Sequence, residues 1–124
     1  MTSVLIVEDE PGLRDGLVAA VETLGFQGVP AAGLVEARSV LAARAVDCIL
    51  LDIRLKDGDG LELLRELRGG SVPPDAAPTD IPIIIATAYG DSERTIRAMR
   101  DGAFDYLTKP FDLPVLLATV ERAV

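Results

Sequence analysis

A chain of 124 residues that is 49% hydrophobic has the length of one domain and enough apolar material for a packed core. Its net charge of −8 and pI near 4.4 leave no basic footprint, which excludes a direct hold on nucleic acid or on an anionic membrane. No apolar run reaches the length of a membrane span or of a signal peptide's hydrophobic region. The chain has no histidine, which removes His-based triads and metal sites, and its single cysteine, Cys48, points to a reducing cytoplasm.

The first apolar run, Ser3-Val4-Leu5-Ile6-Val7, stops on Glu8-Asp9-Glu10-Pro11. This reads as a buried strand, an acidic turn and a helix entered at Pro11, with Leu13, Leu17, Val21 and Leu24 as its apolar stripe and Gly25 as its stop. Val29 to Ala32 makes a short second strand, and Leu34, Ala37 and Leu41 a weaker helical stripe up to Arg44. The third run, Cys48 to Leu51, ends on Asp52 and dissolves into Asp57-Gly58-Asp59-Gly60, turn chemistry with Asp59 placed to cap a following helix. Asp52 is thus expected exposed at a strand's carboxyl end, where open parallel sheets bind their ligands.

Leu61, Leu64 and Leu67 mark the third helix, closed by Gly69-Gly70. The Pro-rich stretch 71–80 reads as a loop longer than the usual roughly four to six residues. Ile81 to Ala86 is the fourth strand and ends on Thr87-Ala88-Tyr89-Gly90-Asp91. The fourth helix, about Ser92 to Arg100, offers only Ile96 and Met99 as an apolar face. Phe104 to Thr108 is the fifth strand, Lys109-Pro110 a turn, and Asp112 to Val124 the last helix, with Leu113, Leu117, Val120 and Val124 expected inward.

Five strands alternating with five helices predict an α/β fold, a doubly wound five-stranded parallel sheet of order 2-1-3-4-5, flavodoxin-like. That order makes the first and third strands neighbours. Glu8, Asp9 and Asp52 then meet at one rim, joined by Thr87 and Lys109 from the strands beyond. Two like charges about 4 Å apart repel by roughly 4 kcal/mol at an effective dielectric of 20, so the cluster calls for raised carboxylate pKa values or a bound cation. An all-oxygen ligand set suits Mg²⁺. Lys109 and the Thr87 hydroxyl would serve the oxygens of a transferring phosphoryl group, with Asp52 as the carboxylate nucleophile.

With Glu8-Asp9, Asp52, Thr87 and Lys109-Pro110 in this order, the whole chain resembles the receiver domain of two-component response regulators. The resemblance implies that Asp52 is the phosphoacceptor. It also implies that Glu8, Asp9, Asp52 and the Arg54 backbone carbonyl hold Mg²⁺, that Thr87 and Tyr106 are a switch pair, and that Lys109, before a cis Pro110, contacts the phosphate. The segments Thr87 to Asp91 and Phe104 to Asp112 are similar to receivers attached to AAA+ activators of sigma-54 polymerase. Lys56 departs from the family by standing where many receivers carry proline.

Two other classes fail on residues. A phosphohydrolase with an Asp nucleophile needs a second acid two residues on, where this chain has Arg54. A flavin or nucleotide carrier needs a Gly- or hydroxyl-rich loop after the first strand, where it has Glu8-Asp9-Glu10. Because the chain lacks histidine, the phosphoryl group must come from outside, from a sensor histidine kinase or a small phosphodonor. Chemistry within the chain is limited to Mg²⁺-dependent self-phosphorylation and autodephosphorylation, with Arg54 and Tyr89 shielding the acyl phosphate from water. The last helix ends on Val124 without a polar tail, which suggests a longer regulator with an effector domain beyond it, a stand-alone receiver being the alternative. The face of the fourth helix, fifth strand and fifth helix, with Arg94, Arg97, Arg100, Asp101 and Asp105, would control that output and pair across a phosphorylation-dependent homodimer.

Overall fold

The computed structural model describes residues 1–69, 80–88 and 92–124, the side chain of Ser92 excepted. Most of the Pro-rich stretch, and Tyr89 with its expected shielding role, lie outside the described residues. The elements in chain order are β1 (Ser3–Val7), α1 (Pro11–Glu22), β2 (Gln27–Ala31), α2 (Leu34–Ala43), β3 (Cys48–Asp52), β4 (Arg54–Leu55), β5 (Gly58–Asp59), α3 (Gly60–Leu67), β6 (Ile83–Thr87), α4 (Ser92–Arg100), β7 (Asp105–Thr108) and α5 (Leu113–Ala123). The five long strands form one parallel sheet in the order β2-β1-β3-β6-β7. Counting those strands alone this is 2-1-3-4-5, as the sequence predicts. The antiparallel ribbon of β4 and β5, directly after Asp52, was not anticipated.

The three inner strands are buried along their whole length, while the edge strands β2 and β7 alternate. That is why β1, β3 and β6 read as unbroken apolar runs: in a parallel sheet with helices on both faces, neither face of an inner strand meets water. Successive side chains divide between the two layers. Leu5, Val7, Ile49, Leu51, Ile83 and Ile85 pack with Leu34 and Ala37 of α2, Leu61, Leu64 and Leu67 of α3, and Ala98 of α4. Val4, Ile6, Cys48, Leu50 and Ile84 pack with Leu17 and Val21 of α1 and Leu116 and Val120 of α5. Cys48 is one of these core side chains, and burial pushes its thiol up to about 12, leaving it inert at neutral pH.

Two helix faces differ from expectation. In α5 the buried residues are Leu116, Thr119 and Val120, whereas Leu113 and Val124 are exposed. Apolar residues surround this helix, so several phases fit the sequence equally well. In α4 the buried residues are Thr95 and Ala98, while Ile96 and Met99 are 53% and 40% exposed. Thr95 and Ala98, three positions apart, share the face turned to the core, and the larger apolar side chains turn outward.

Candidate functional site

The carboxyl ends of β1 and β3 lie side by side, with Val7 opposite Leu51, so the residues that follow or end those strands meet at one rim. Glu8, Asp9 and Asp52 each present a carboxylate oxygen within 4.8 Å of the other two. Asp52 is 6% exposed and Glu8 2% exposed. The expectation of an exposed Asp52 is therefore corrected. The Arg54 N–H at the start of the ribbon bonds one of its oxygens, and Lys109 reaches the other from the end of β7.

Lys109 supplies what the repulsion argument left to a metal. Its Nζ donates to Glu8 Oε1 at 2.6 Å and to Asp52 Oδ2 at 2.9 Å. Burial opposes the charge on this ammonium, but hydrogen bonds to Glu8 and Asp52, and their charges, outweigh it and hold its pKa above the ordinary lysine value. The β6 end sets its position: Thr87 pairs with Thr108 in the sheet, and the Lys109 backbone N–H donates to the Thr87 carbonyl at 2.7 Å. The Lys109–Pro110 bond is cis, as expected.

The acidic turn after β1 is held from three sides. Glu8 Oε2 accepts the Glu10 N–H at 3.0 Å, and Arg14 Nη1 donates to the Glu8 carbonyl at 2.9 Å. Glu10 caps α1 by accepting the N–H groups of Leu13 and Gly12, which hold its carboxyl below the usual range. Sequence reasoning passed over Arg14 and Glu10, although a basic residue one helical turn past an acidic strand end is a usable signal.

Thr87 is 6% exposed at the end of β6, on the same rim as the carboxylates. Tyr106 sits opposite Ile85 on the edge strand β7 and is 45% exposed. Arg54 is exposed, and its backbone N–H donates to Asp52 Oδ1 at 3.2 Å. So the structure brings Glu8, Asp9 and Asp52 together and sets Lys109 against Glu8 and Asp52. It sets Thr87 beside them and leaves Tyr106 on the neighbouring surface.

Gly60 is a further residue the site requires. A Cβ there would lie 2.1 Å from the Asp52 carbonyl oxygen, a backbone atom that cannot swing aside, and the Gly60 N–H donates to the Ile53 carbonyl at 2.7 Å. Gly60→Ala should therefore cost about 1–3 kcal/mol as the strand end is forced away. Urea unfolding reads this directly, and a variant as stable as the parent would show that the close approach relaxes freely.

The three carboxylates fit a hard divalent cation. They offer oxygen donors only, with ligand atoms close enough to share one ion, and Asp9 is half-buried at the mouth. Among the described residues, no helix is long and apolar enough to cross a membrane.

Comparison with known proteins gives one consistent picture. The family model described as "response regulator receiver domain" matches residues 4–121. The KDP operon transcriptional regulatory protein KdpE of Escherichia coli is 45% identical over 74 residues, which is 60% of this chain and 33% of KdpE. The C4-dicarboxylate transport transcriptional regulatory protein DctD of Pseudomonas aeruginosa is 40% identical over 92 residues, which is 72% of this chain and 18% of DctD. A solved response regulator receiver protein from Pseudomonas putida is 30% identical, with a TM-score of 0.87 over 98% of this chain and 96% of that one. The chain spans a third or less of the length of these two curated relatives.

Proposed function

The chain belongs to the receiver domain family of two-component response regulators, and from that premise we propose that Asp52 accepts a phosphoryl group from a sensor histidine kinase. The result is a switch: the surface of α4, β7 and α5 changes to control an output domain. The observation that carries this reading is the buried Asp52 carboxylate facing Glu8, Asp9 and the Lys109 ammonium. Residues 1–124 serve as the receiver, acting in the cytoplasm. The effector lies elsewhere in a longer protein and serves transcription regulation, an AAA+ activator of sigma-54 polymerase being the kind implied by the resemblance.

The transfer is a displacement at phosphorus. An Asp52 oxygen forms the new O–P bond while the P–N bond to the donor imidazole breaks, and the bond pair stays on that nitrogen; because the donor's other ring nitrogen already carries a proton, neutral imidazole leaves. The Lys109 ammonium and the Thr87 hydroxyl receive the phosphoryl oxygens. Glu8, Asp9, Asp52 and the Arg54 backbone carbonyl would hold Mg²⁺, which would supply the positive charge that lets an anionic donor approach a carboxylate. Loss of the group by hydrolysis is the only other chemistry, so the chain is a phosphoacceptor and not a turnover enzyme.

The signal leaves through Thr87 and Tyr106. Drawing the Thr87 hydroxyl toward the phosphoryl group vacates space for the exposed Tyr106 ring to turn inward. The α4 helix, whose buried side chains among the described residues are the small Thr95 and Ala98, shifts at small cost. A ligand biases two states only by its differential affinity, so the Thr87 and Lys109 contacts must be better in the shifted state. Ile96, Met99, Phe104 and Tyr106, each 40–53% exposed, form the apolar centre of that face. Arg97, Arg100 and Asp101 give it mixed charge for a phosphorylation-dependent homodimer. Of the charges expected there, Arg94 pairs with Asp59, and Asp105 with Arg122 at 3.3 Å.

Beryllofluoride with Mg²⁺ tests the reading. It should perturb the backbone resonances of residues 87–108 far more than those of α2, and Thr87→Ala should bind the mimic while losing the remote response. Shifts confined to the neighbours of Asp52, or a Thr87→Ala variant that responds like the parent, would remove the switch.

A further inference from the structure

The N-terminus of α2 is capped from outside its own segment. Gly33 precedes the helix and has no side chain, and the N–H groups of Leu34 and Val35 donate to Asp57 Oδ1 and Oδ2 at 2.9 and 3.0 Å. A Cβ on Gly33 would lie 2.5 Å from Asp57 Oδ1, so the carboxylate fills the space a local capping side chain would take. The Val35 and Leu34 N–H groups hold the Asp57 carboxyl below its usual range, so the cap is ionised at neutral pH.

Asp57 stands in the turn of the β4–β5 ribbon, in which Arg54 pairs with Asp59 and Leu55 with Gly58. Two-residue strands have no core and do not hold a shape unaided. The base of this ribbon is fixed by the bond from the Gly60 N–H to the Ile53 carbonyl and by Asp59, which accepts the Leu61 N–H at 2.9 Å. Its tip is fixed by Asp57 on α2. Between the two anchors lies Arg54, whose N–H donates to Asp52 Oδ1 at 3.2 Å.

We propose that Asp57 is a positioning residue for the phosphoacceptor site: by clamping the ribbon tip to the N-terminus of α2, it holds the Arg54 backbone where its N–H orients the Asp52 carboxylate and its carbonyl faces the metal. The metal half of this statement rests on the function proposed above; the clamp does not. It couples α2, a helix remote from the switch face, to the geometry of the acidic site.

The test uses the whole chain as Asp57→Ala, Asp57→Asn and Arg38→Ala. The last breaks the bonds from Arg38 to Glu66 and so loosens α2 while leaving every hydrogen bond of Asp57 in place, its charge reaching Asp57 only through space. In metal-free protein, Asp57→Ala should speed amide hydrogen exchange at Arg54 and Asp59 about fivefold, as well as at Leu34 and Val35. Asp57→Asn, which keeps one acceptor oxygen, should recover most of this protection, and Arg38→Ala should leave the ribbon unchanged. The Mg²⁺ midpoint, read by NMR titration, should weaken about tenfold in Asp57→Ala, the lower end of what loss of an outer-shell partner costs. Faster exchange at Leu34 and Val35 with none at Arg54 would overturn the proposal, since Asp57 would then serve α2 alone. So would equal ribbon exchange in Asp57→Ala and Arg38→Ala. A parent that binds no Mg²⁺ would overturn the metal reading, while the exchange arm still decides the clamp.

Discussion

Replacing Asp52 with asparagine should abolish phosphoryl uptake, with a loss in rate of at least about a thousandfold when the nucleophile itself is removed. The amide keeps the shape of the carboxylate and can still accept the Arg54 N–H, but it carries no anionic oxygen to attack phosphorus. The experiment is intact-mass spectrometry of the protein after incubation with acetyl phosphate and Mg²⁺. The parent should gain one phosphoryl group; Asp52→Asn should not, and a chelator should stop the parent as well. The substitution also removes one of three clustered negative charges, two of which repel Asp52 while Lys109 attracts it. The variant should therefore melt no lower than the parent, which separates loss of chemistry from loss of fold. An adduct that persists in Asp52→Asn would move the acceptor to Glu8 or Asp9.

Lys109→Met should produce the largest loss of stability among single changes at the site. The lysine Nζ lies 2.6 Å from Glu8 and 2.9 Å from Asp52, whose side chains are 2% and 7% exposed. Removing one partner from a buried charge pair costs about 3–5 kcal/mol, because the remaining charges are left uncompensated in a poorly solvating site. Against a total stability of about 5–15 kcal/mol for a domain, that is a large share. Mg²⁺ should restore much of it, since a divalent ion answers the same carboxylates. Urea unfolding of parent and variant, each with Mg²⁺ and with chelator, reads both effects. A metal-free variant within about 1 kcal/mol of the parent would show that water already solvates Glu8 and Asp52 well enough.

The pH dependence follows from the same contact. The Lys109 pKa is raised above its ordinary value of 10.5, so its contribution to stability is fully present below that value. It is lost only as pH rises through the higher folded-state value. The parent keeps it across the neutral range and gives it up on the alkaline side.

Much of this protein could be read from residue order alone. The runs Val4 to Val7, Cys48 to Leu51 and Ile83 to Ala86 are apolar at every position because both faces of an inner parallel strand are covered, and each ends on a polar residue because the strand ends at the rim. Strand alternation gives the doubly wound class, and right-handed crossovers with one reversal of winding make 2-1-3-4-5 the first choice of order, which brings Glu8, Asp9, Asp52, Thr87 and Lys109 to one rim. Gly25 closes α1 in a left-handed conformation at φ 83°, and Asp59 caps α3, both local events with local signals.

What only the tertiary structure decided depends on partners distant along the chain. Asp52 sits among Glu8, Asp9 and Lys109, the last 57 positions later in the chain, and is buried there. The cap of α2 comes from Asp57, 23 positions past the first helical N–H it accepts. In α5 the apolar residues run all round the helix, so the phase that faces the sheet was open until Leu116 and Val120 met Ile6 and Leu50. In α4 the sheet takes Thr95 and Ala98 and leaves Ile96 and Met99 to the surface. Periodicity ranks side chains by hydrophobicity, whereas the rotation of the helix against the rest of the core decides which of them are covered.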